Sequence, residues 1–219
     1  MDISKEVELT DPFVTREFAT VVKLYPYQMG NNFYAELKKN VVKKVVNKCN
    51  NYGIFTKVIK LTEYEENIIN SENFDGNAEY NVKFIATMCI PLINTTIILK
   101  YDDFTNLDGV IRLSASNNAI HAILKLVDNS HYFKYTNDKI FIVPYNRFIE
   151  KGEYIKATIK AMQITPGDSQ ISSICKMVGM ASPEEVDKWF YKASNVMYEE
   201  DIDKEDIALF NDDEIGDDV

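Results

Sequence analysis

The sequence predicts an α+β fold: a small N-terminal α+β module, then an all-β barrel, then a short helix and an acidic end. Three observations carry that expectation. In the first ninety residues one apolar stripe of helical period lies between β-branched runs. From residue 92 the pattern is short strands alone, about ten to fifteen residues apart. The last forty residues open on a helix-capping signal and finish in acids. The corresponding division is 12–91, 92–180 and 181–219.

Residues 18–24, FATVVKL, are short and β-branched and read as a strand, ended by Pro26 and Gly30. Asn31 or Asn32 is placed to cap a helix, in which Phe33, Leu37, Val41 and Val45 recur every four residues. Lys38, Lys39, Lys43 and Lys44 fall off that stripe and read as a solvated face rather than a nucleic-acid surface. Asn50-Asn51-Tyr52-Gly53 follows, with Gly53 as the helix stop. Residues 54–61, IFTKVIKL, alternate as a second strand, and 63–79 turn polar around Asp75-Gly76-Asn77. A third strand spans 80–90, with Val82, Phe84, Ala86, Met88 and Ile90 on one face and Pro91 closing it.

The strand-only region offers runs at 95–101, 109–116, 119–127, 139–143, 154–164 and 169–178. Five or six strands in under ninety residues fit an OB-type barrel better than a larger sandwich. Asn106-Leu107-Asp108-Gly109, Asn117-Asn118, Lys151-Gly152 and Pro166-Gly167-Asp168 supply the turns. Ser182-Pro183-Glu184-Glu185 matches a capping box with Pro at the first helical position. Val186, Trp189, Phe190 and Ala193 then form the apolar face of a short helix.

The net charge of −10 is local. Residues 199–219 hold eleven acids and one base, Lys204, so the body before them balances 23 acids against 23 bases. The body therefore does not repel nucleic acid as a whole, whereas the acidic end is expected to compete with it or to meet a basic partner. Ile207, Leu209 and Phe210 give that end a few apolar anchors. No apolar run reaches the eighteen residues of a membrane span, and the first residues carry acids where a secretory signal carries bases. A soluble intracellular protein with no membrane partner is expected. Cys49, Cys89 and Cys175, about 40 and 86 residues apart, fit no metal knuckle or redox pair and read as buried thiols. The sequon Asn94-Thr95-Thr96 means little without secretory access.

Searching for chemistry gives nothing that holds together. There is no glycine-rich phosphate loop, no His-Glu-x-x-His and no nucleophile elbow. His121 and His131 have no patterned carboxylate or thiol partner. No catalytic residue, metal ligand or cofactor is assigned.

The order of these pieces resembles the Rpb-seven/E-prime stalk subunits of archaeal, eukaryotic and large-DNA-virus RNA polymerases, over about residues 13–181. Residues 51–58, NYGIFTKV, are similar to that family's stretch after its first helix. Residues 80–91 resemble the strand that leads through a Pro into the barrel, Asp108-Gly109 the first barrel turn, and 151–159, KGEYIKATI, the segment completing the barrel. The opening, FVTREFATVVKLYPYQMG, is similar to the poxvirus version, and the Ile-, Asn-, Lys- and Tyr-rich composition is compatible with a giant nucleocytoplasmic virus. Residues 128–150 are hard to align with the family, which leaves barrel strands four and five open there, and the acidic extension has no counterpart in the common short form.

The resemblance implies a non-catalytic stalk subunit of a DNA-directed RNA polymerase. Its tip domain would dock on the core near the clamp, and its barrel would guide nascent single-stranded RNA. The implied partners are the large polymerase subunits, that RNA and, in cellular members, a small helical stalk partner. The helix after Ser182 would stand in for that partner in cis or dock on another subunit. The implied location is host cytoplasm, viral factory and virion for a viral source, nucleus for a cellular one. RNA-contact candidates on the barrel are Lys100, Tyr101, Arg112, Lys125, Tyr132, Phe133, Lys134 and Tyr135, cations for phosphates and aromatics for stacking. Core-docking candidates are Tyr25, Pro26, Gly30, Tyr52, Gly53 and Ile54. The rival reading is a free-standing OB-fold RNA-binding module acting in translation or RNA decay.

Overall fold

The computed structural model of the chain describes residues 8–66, 76–105, 109–136 and 139–191. Asp75, the 106–108 turn residues, Ala193 and the acidic end lie outside the described residues. The chain is mostly β, with a closed five-stranded barrel and few helices, an α+β fold with an OB-like barrel.

The N-terminal part is an antiparallel sheet carrying one helix. β1 (Phe13–Leu24), α1 (Phe33–Val45), β2 (Ile54–Glu66) and β3 (Ala78–Cys89) follow in chain order, and the sheet order is β1-β3-β2. Alternation builds most of it: Ala78, Tyr80, Val82, Phe84, Ala86 and Met88 of β3 are all buried, Asn81 and Lys83 between them are exposed, and towards the strand's end Thr87 and Cys89 bury as well. Leu37 and Val41 of α1 are the stripe residues that bury fully in the same cluster. Asn32 stands at the N-cap position, but its side chain makes no capping bond. The helix ends at Val45, and Asn47 at φ 56° takes the left-handed turn that Gly53 was expected to supply. Gly53 has a different job: a Cβ there would lie 2.1 Å from the Cys89 carbonyl oxygen, so its hydrogen lets β2 start against the end of β3.

The barrel strands are β4 (Thr96–Thr105), β5 (Val110–Ser114) and β6 (Ile120–Lys125), then β10 (Tyr154–Gln163) and β11 (Ile171–Met180), after an intervening sheet. That sheet consists of β7 (Phe133–Thr136), β8 (Lys139–Ile142) and β9 (Arg147–Phe148). Around the barrel the order is β4-β5-β6-β11-β10, closing on β4. Every pairing is antiparallel except β6 with β11, which is parallel from Ile120↔Ile171 to Ile123↔Ile174. Third strand beside fifth, in parallel, is what closes a five-stranded Greek key. Inward positions are filled: Leu99, Ile111, Leu113, Leu124, Ile155 and Ile171 are each completely buried.

One expectation fails here. Residues 139–143 were expected in the barrel, but β8 pairs only with β7 and β9. β7, β8 and β9, of four, four and two residues, pair with one another, and the apolar side of the small sheet they form covers the barrel instead of joining its wall. Phe133, Ile140, Ile142 and Ile149 join the barrel's buried cluster. Asn129, 1% exposed, pins the insertion: its Nδ2 donates to the Lys125 carbonyl (2.8 Å), and its Oδ1 accepts from the Met177 amide (2.8 Å).

The N-terminal sheet and the barrel are joined by backbone. The Cys49 amide donates to the Asp168 carbonyl (2.7 Å), and the Gly167 amide donates back to Cys49 (2.9 Å). Cys49, Ile54 and Cys89 bury in the barrel's cluster, and all three cysteines are free and buried. After the barrel comes α2 (Pro183–Trp189), capped as its sequence predicts. Ser182 Oγ accepts from the Glu185 amide (3.2 Å), and Glu185 accepts from the Ser182 amide (2.8 Å). Val186 and Phe190 bury against Ile98 of β4.

Candidate nucleic-acid interface

Barrel alternation decides which candidate side chains reach solvent. Ile111 and Leu113 point inward on β5, so Arg112 points out; Leu124 points inward on β6, so Lys125 points out. Arg112 pairs across the strands with Ile123, Ile123 with Ile174, and Ile174 with Ala161, giving a continuous outward row over four strands. Ile174 is 39% exposed, and Lys176 lies two residues along the same side of β11. Arg112, Lys125 and Lys176 therefore lie on one outward surface with a partly open apolar centre. Asp103 is the cross-strand register neighbour of Arg112.

The aromatic candidates are placed less favourably. Phe133 is 1% exposed and fills the core between insertion and barrel, so it cannot stack on a base. Tyr101 is buried too, and burial, then the Asp103 charge, pushes its hydroxyl pKa up. Both leave the set of contact residues, because alternation aims them inward. Tyr132 and Tyr135 are half-buried against the same core, the Tyr135 ring lying 5.2 Å from that of Phe104. Lys134 is fully on the surface; Lys100 is half-buried, beside Tyr154 and Ser114 in register. Ile174 and Lys176, which were not among the candidates, share this face, as the alternation in ISSICKMVGM shows.

The docking candidates divide in the same way. Tyr25 and Tyr27 stack at 5.6 Å and 12°, and Tyr27 is 82% exposed; Pro26 and Gly30 are exposed beside them. A polar knot holds this turn. Buried Gln28 donates to Glu36 (2.8 Å) and accepts from the Tyr25 amide (3.1 Å) and from Asn40 (3.1 Å). Asn40 also donates to the Lys23 carbonyl (2.9 Å). The Gln28 bond, then Lys39, holds the Glu36 carboxyl below its ordinary pKa. Tyr52 stands at 74% exposure on the other loop, but Ile54 is 1% exposed and Gly53 is buried. Those two are packing residues and offer no side chain to a partner.

Around α2, burial pushes the Glu185 carboxyl up, but the Ser182 amide and Lys156 (2.9 Å) together outweigh it, and the net shift is downward. Burial, then the Tyr191 hydroxyl bonded to it, pushes Tyr154 up to about 12. Among the described residues no group of three or more His, Cys, Asp or Glu side chains could hold a metal ion. No helix among them is long and apolar enough to cross a membrane.

No protein-family model matches the chain. A protein of Acanthamoeba polyphaga mimivirus described as a DNA-directed RNA polymerase subunit is 32% identical to it over 165 residues, covering 75% of this chain and 81% of the relative.

Proposed function

This chain belongs to the family of DNA-directed RNA polymerase subunits, and from that premise we propose that it is the stalk subunit of a virus-encoded polymerase, non-catalytic, docked by its N-terminal module and guiding RNA with its barrel. The observation that carries the reading is architectural: an α+β sheet joined by its backbone to a closed five-stranded barrel with a parallel β6–β11 closure. The barrel's interior is filled by apolar side chains, which supports work on its outer surface.

In this reading the chain divides at 12–91 for docking, 92–180 for the barrel and 181–219 for the helix and acidic extension. The docking surface is built on the stacked Tyr25–Tyr27 pair with Pro26, Gly30 and Tyr52. Aromatics exposed at a rigid turn suit a protein contact, because they bury large area at little entropic cost. The RNA surface is the outward face carrying Arg112, Lys125 and Lys176, cations that would meet successive phosphates. The in-cis docking of α2 on Ile98 supports a stalk that needs no separate helical partner there. The site of action is the cytoplasmic factory where a viral polymerase transcribes.

The test is recovery of the affinity-tagged chain from infected cells, read by mass spectrometry after nuclease treatment. The expected result is co-purification of the large polymerase subunits, diminished by the Tyr25→Ala, Tyr27→Ala double variant. Recovery of the chain alone, or with translation or RNA-decay proteins, overturns the stalk role.

A further inference from the structure

The three-stranded insertion sheet has two unlike faces. Its inner side chains, Phe133, Ile140 and Ile142, are buried in the barrel cluster. On the outer face Lys134, Phe141 and Phe148 are register partners across all three strands. The two rings meet edge to face, centroids 5.3 Å apart at 75°. Such a pair leaves a ring face free to take another π system. Core packing does not account for it: Phe148 is 39% exposed, whereas Phe133 is 1% exposed.

The charges within the three strands have one sign, while Asp138 lies between β7 and β8 in the sequence. β7, β8 and β9 carry Lys134, Lys139 and Arg147 and no acid. Arg147 is engaged by Glu153, but among the described residues no ion pair engages Lys134 or Lys139, and both are exposed. The element is also tied down by hydrogen bonds. Asn129 bonds it to β6 and β11, the Val143 amide donates to the Tyr132 carbonyl (2.8 Å), and the Ile149 amide donates to Ile140 (3.0 Å). An unpaired loop loses ordering entropy on binding, and strand pairing lowers that cost for this surface.

We propose that the outer face of β7-β8-β9 is a stacking platform for single-stranded RNA, separate from the outward row on the barrel. One base lies on the Phe148 ring with Phe141 behind it, and the flanking phosphates lie at Lys134 and Lys139. Aromatics at outward sheet positions are how sheet-built RNA modules seat unstacked bases, and lysine serves a phosphate as a point charge. A protein segment drawn to the same lysines would need its own acids and an apolar anchor. The nucleic-acid reading needs only what every nucleotide carries. The inference rests on the reading that this subunit handles RNA.

The test uses the full chain and a fluorescein-labelled oligouridylate, with anisotropy titrations between about 50 and 200 mM salt. Phe148→Ala is expected to weaken binding roughly tenfold with the salt slope unchanged, as for loss of one stacked base. Lys134→Glu and Lys139→Glu are each expected to reduce the slope by about 0.7, the counterion share of one phosphate on a single strand. The Arg112→Glu, Lys125→Glu double variant reports the barrel face independently. Lys134→Glu changes an exposed residue, so its loss of binding at an unaltered Tm cannot be misfolding. If the sheet variants bind like the unaltered chain while the barrel variant loses RNA, this platform is wrong and the RNA role stands. If the unaltered chain binds no RNA at any salt, both fall. If the sheet variants keep RNA but lose the polymerase subunits on co-purification, the face is a protein contact and the proposal is overturned.

Discussion

Asn129 is the residue on which the placement of the insertion sheet depends. It is 1% exposed, and its amide serves two backbone groups at once, the Lys125 carbonyl and the Met177 amide, each at 2.8 Å. Asn129→Ala removes both partners. A buried donor or acceptor left unmet costs about 1–3 kcal/mol, and the amide, with a single bond to make, suffers more than the carbonyl. A loss of roughly 2–4 kcal/mol follows, and at about 2–4 °C per kcal/mol for a chain of this size the Tm falls by roughly 5–15 °C. Asn129→Asp sharpens the test. A protonated Asp can accept from Met177 and donate to Lys125, as Asn does. An ionised one confronts the Lys125 carbonyl with a second acceptor, so burial and that clash raise its folded pKa above about 3.9. The sign is then fixed: relative to the parent chain, the variant loses little below the unfolded pKa and progressively more as pH rises through the folded one. Thermal melts of all three proteins across that range read both effects. A loss under about 0.5 kcal/mol for Asn129→Ala, or a pH-independent deficit for Asn129→Asp, would show that these bonds do not hold the insertion.

Gly53→Ala drives a Cβ to 2.1 Å from the Cys89 carbonyl, a clash with backbone that cannot be relieved by a rotamer change; a loss of about 1–3 kcal/mol by chemical denaturation is expected. Glu185 is held below its ordinary pKa, so its contribution to α2 docking is complete above the unfolded value near about 4.3 and is lost as pH falls through the folded one. Hydrogen exchange should show α2 losing protection at pH values below that window while the barrel strands keep theirs. The Arg112→Glu, Lys125→Glu double variant should bind RNA more weakly at low salt and approach the parent chain as salt rises, a convergence that titration can check.

Much of this fold was legible because burial here follows strand period. Val82, Phe84, Ala86 and Met88 were placed together by alternation, and all four are buried. Ser182 and Glu185 announced their helix through side-chain chemistry that acts within four residues, and that chemistry is present. What the sequence hid depended on distant partners. The helix stop fell at Asn47 because the chain there turns to meet Phe55, whose carbonyl accepts from the Asn47 amide (2.9 Å). Gly53 carried a strong local signal for a turn, but its role is set by Cys89, thirty-six residues away. On the candidate surfaces, residue type alone did not give the direction of every side chain. Phe133 and Tyr101 have the chemistry of stacking residues but point inward, while Phe141 and Phe148 lay in a stretch whose pairing could not be seen without its partner strands.

The barrel does not complete its core alone, and this bears on whether the proposed boundary at 91/92 separates independent folding units. Cys49, Ile54 and Cys89 bury at 5%, 1% and 0% in the barrel's own cluster, and two backbone bonds tie Cys49 to the 167–168 turn. A fragment of residues 92–191 would lose all of these. Exposing the surface that an Ile covers costs about 1.5–3 kcal/mol, with a smaller share for each Cys, so roughly 3–5 kcal/mol is withdrawn. A domain of this size has only about 5–15 kcal/mol in total. The fragment should therefore melt well below the whole chain and expose apolar surface to a hydrophobic dye at temperatures where the whole chain does not. Equal melting of fragment and whole chain would mean that the N-terminal module is a tethered neighbour. The observed packing argues instead that the N-terminal module supplies part of the barrel's own core.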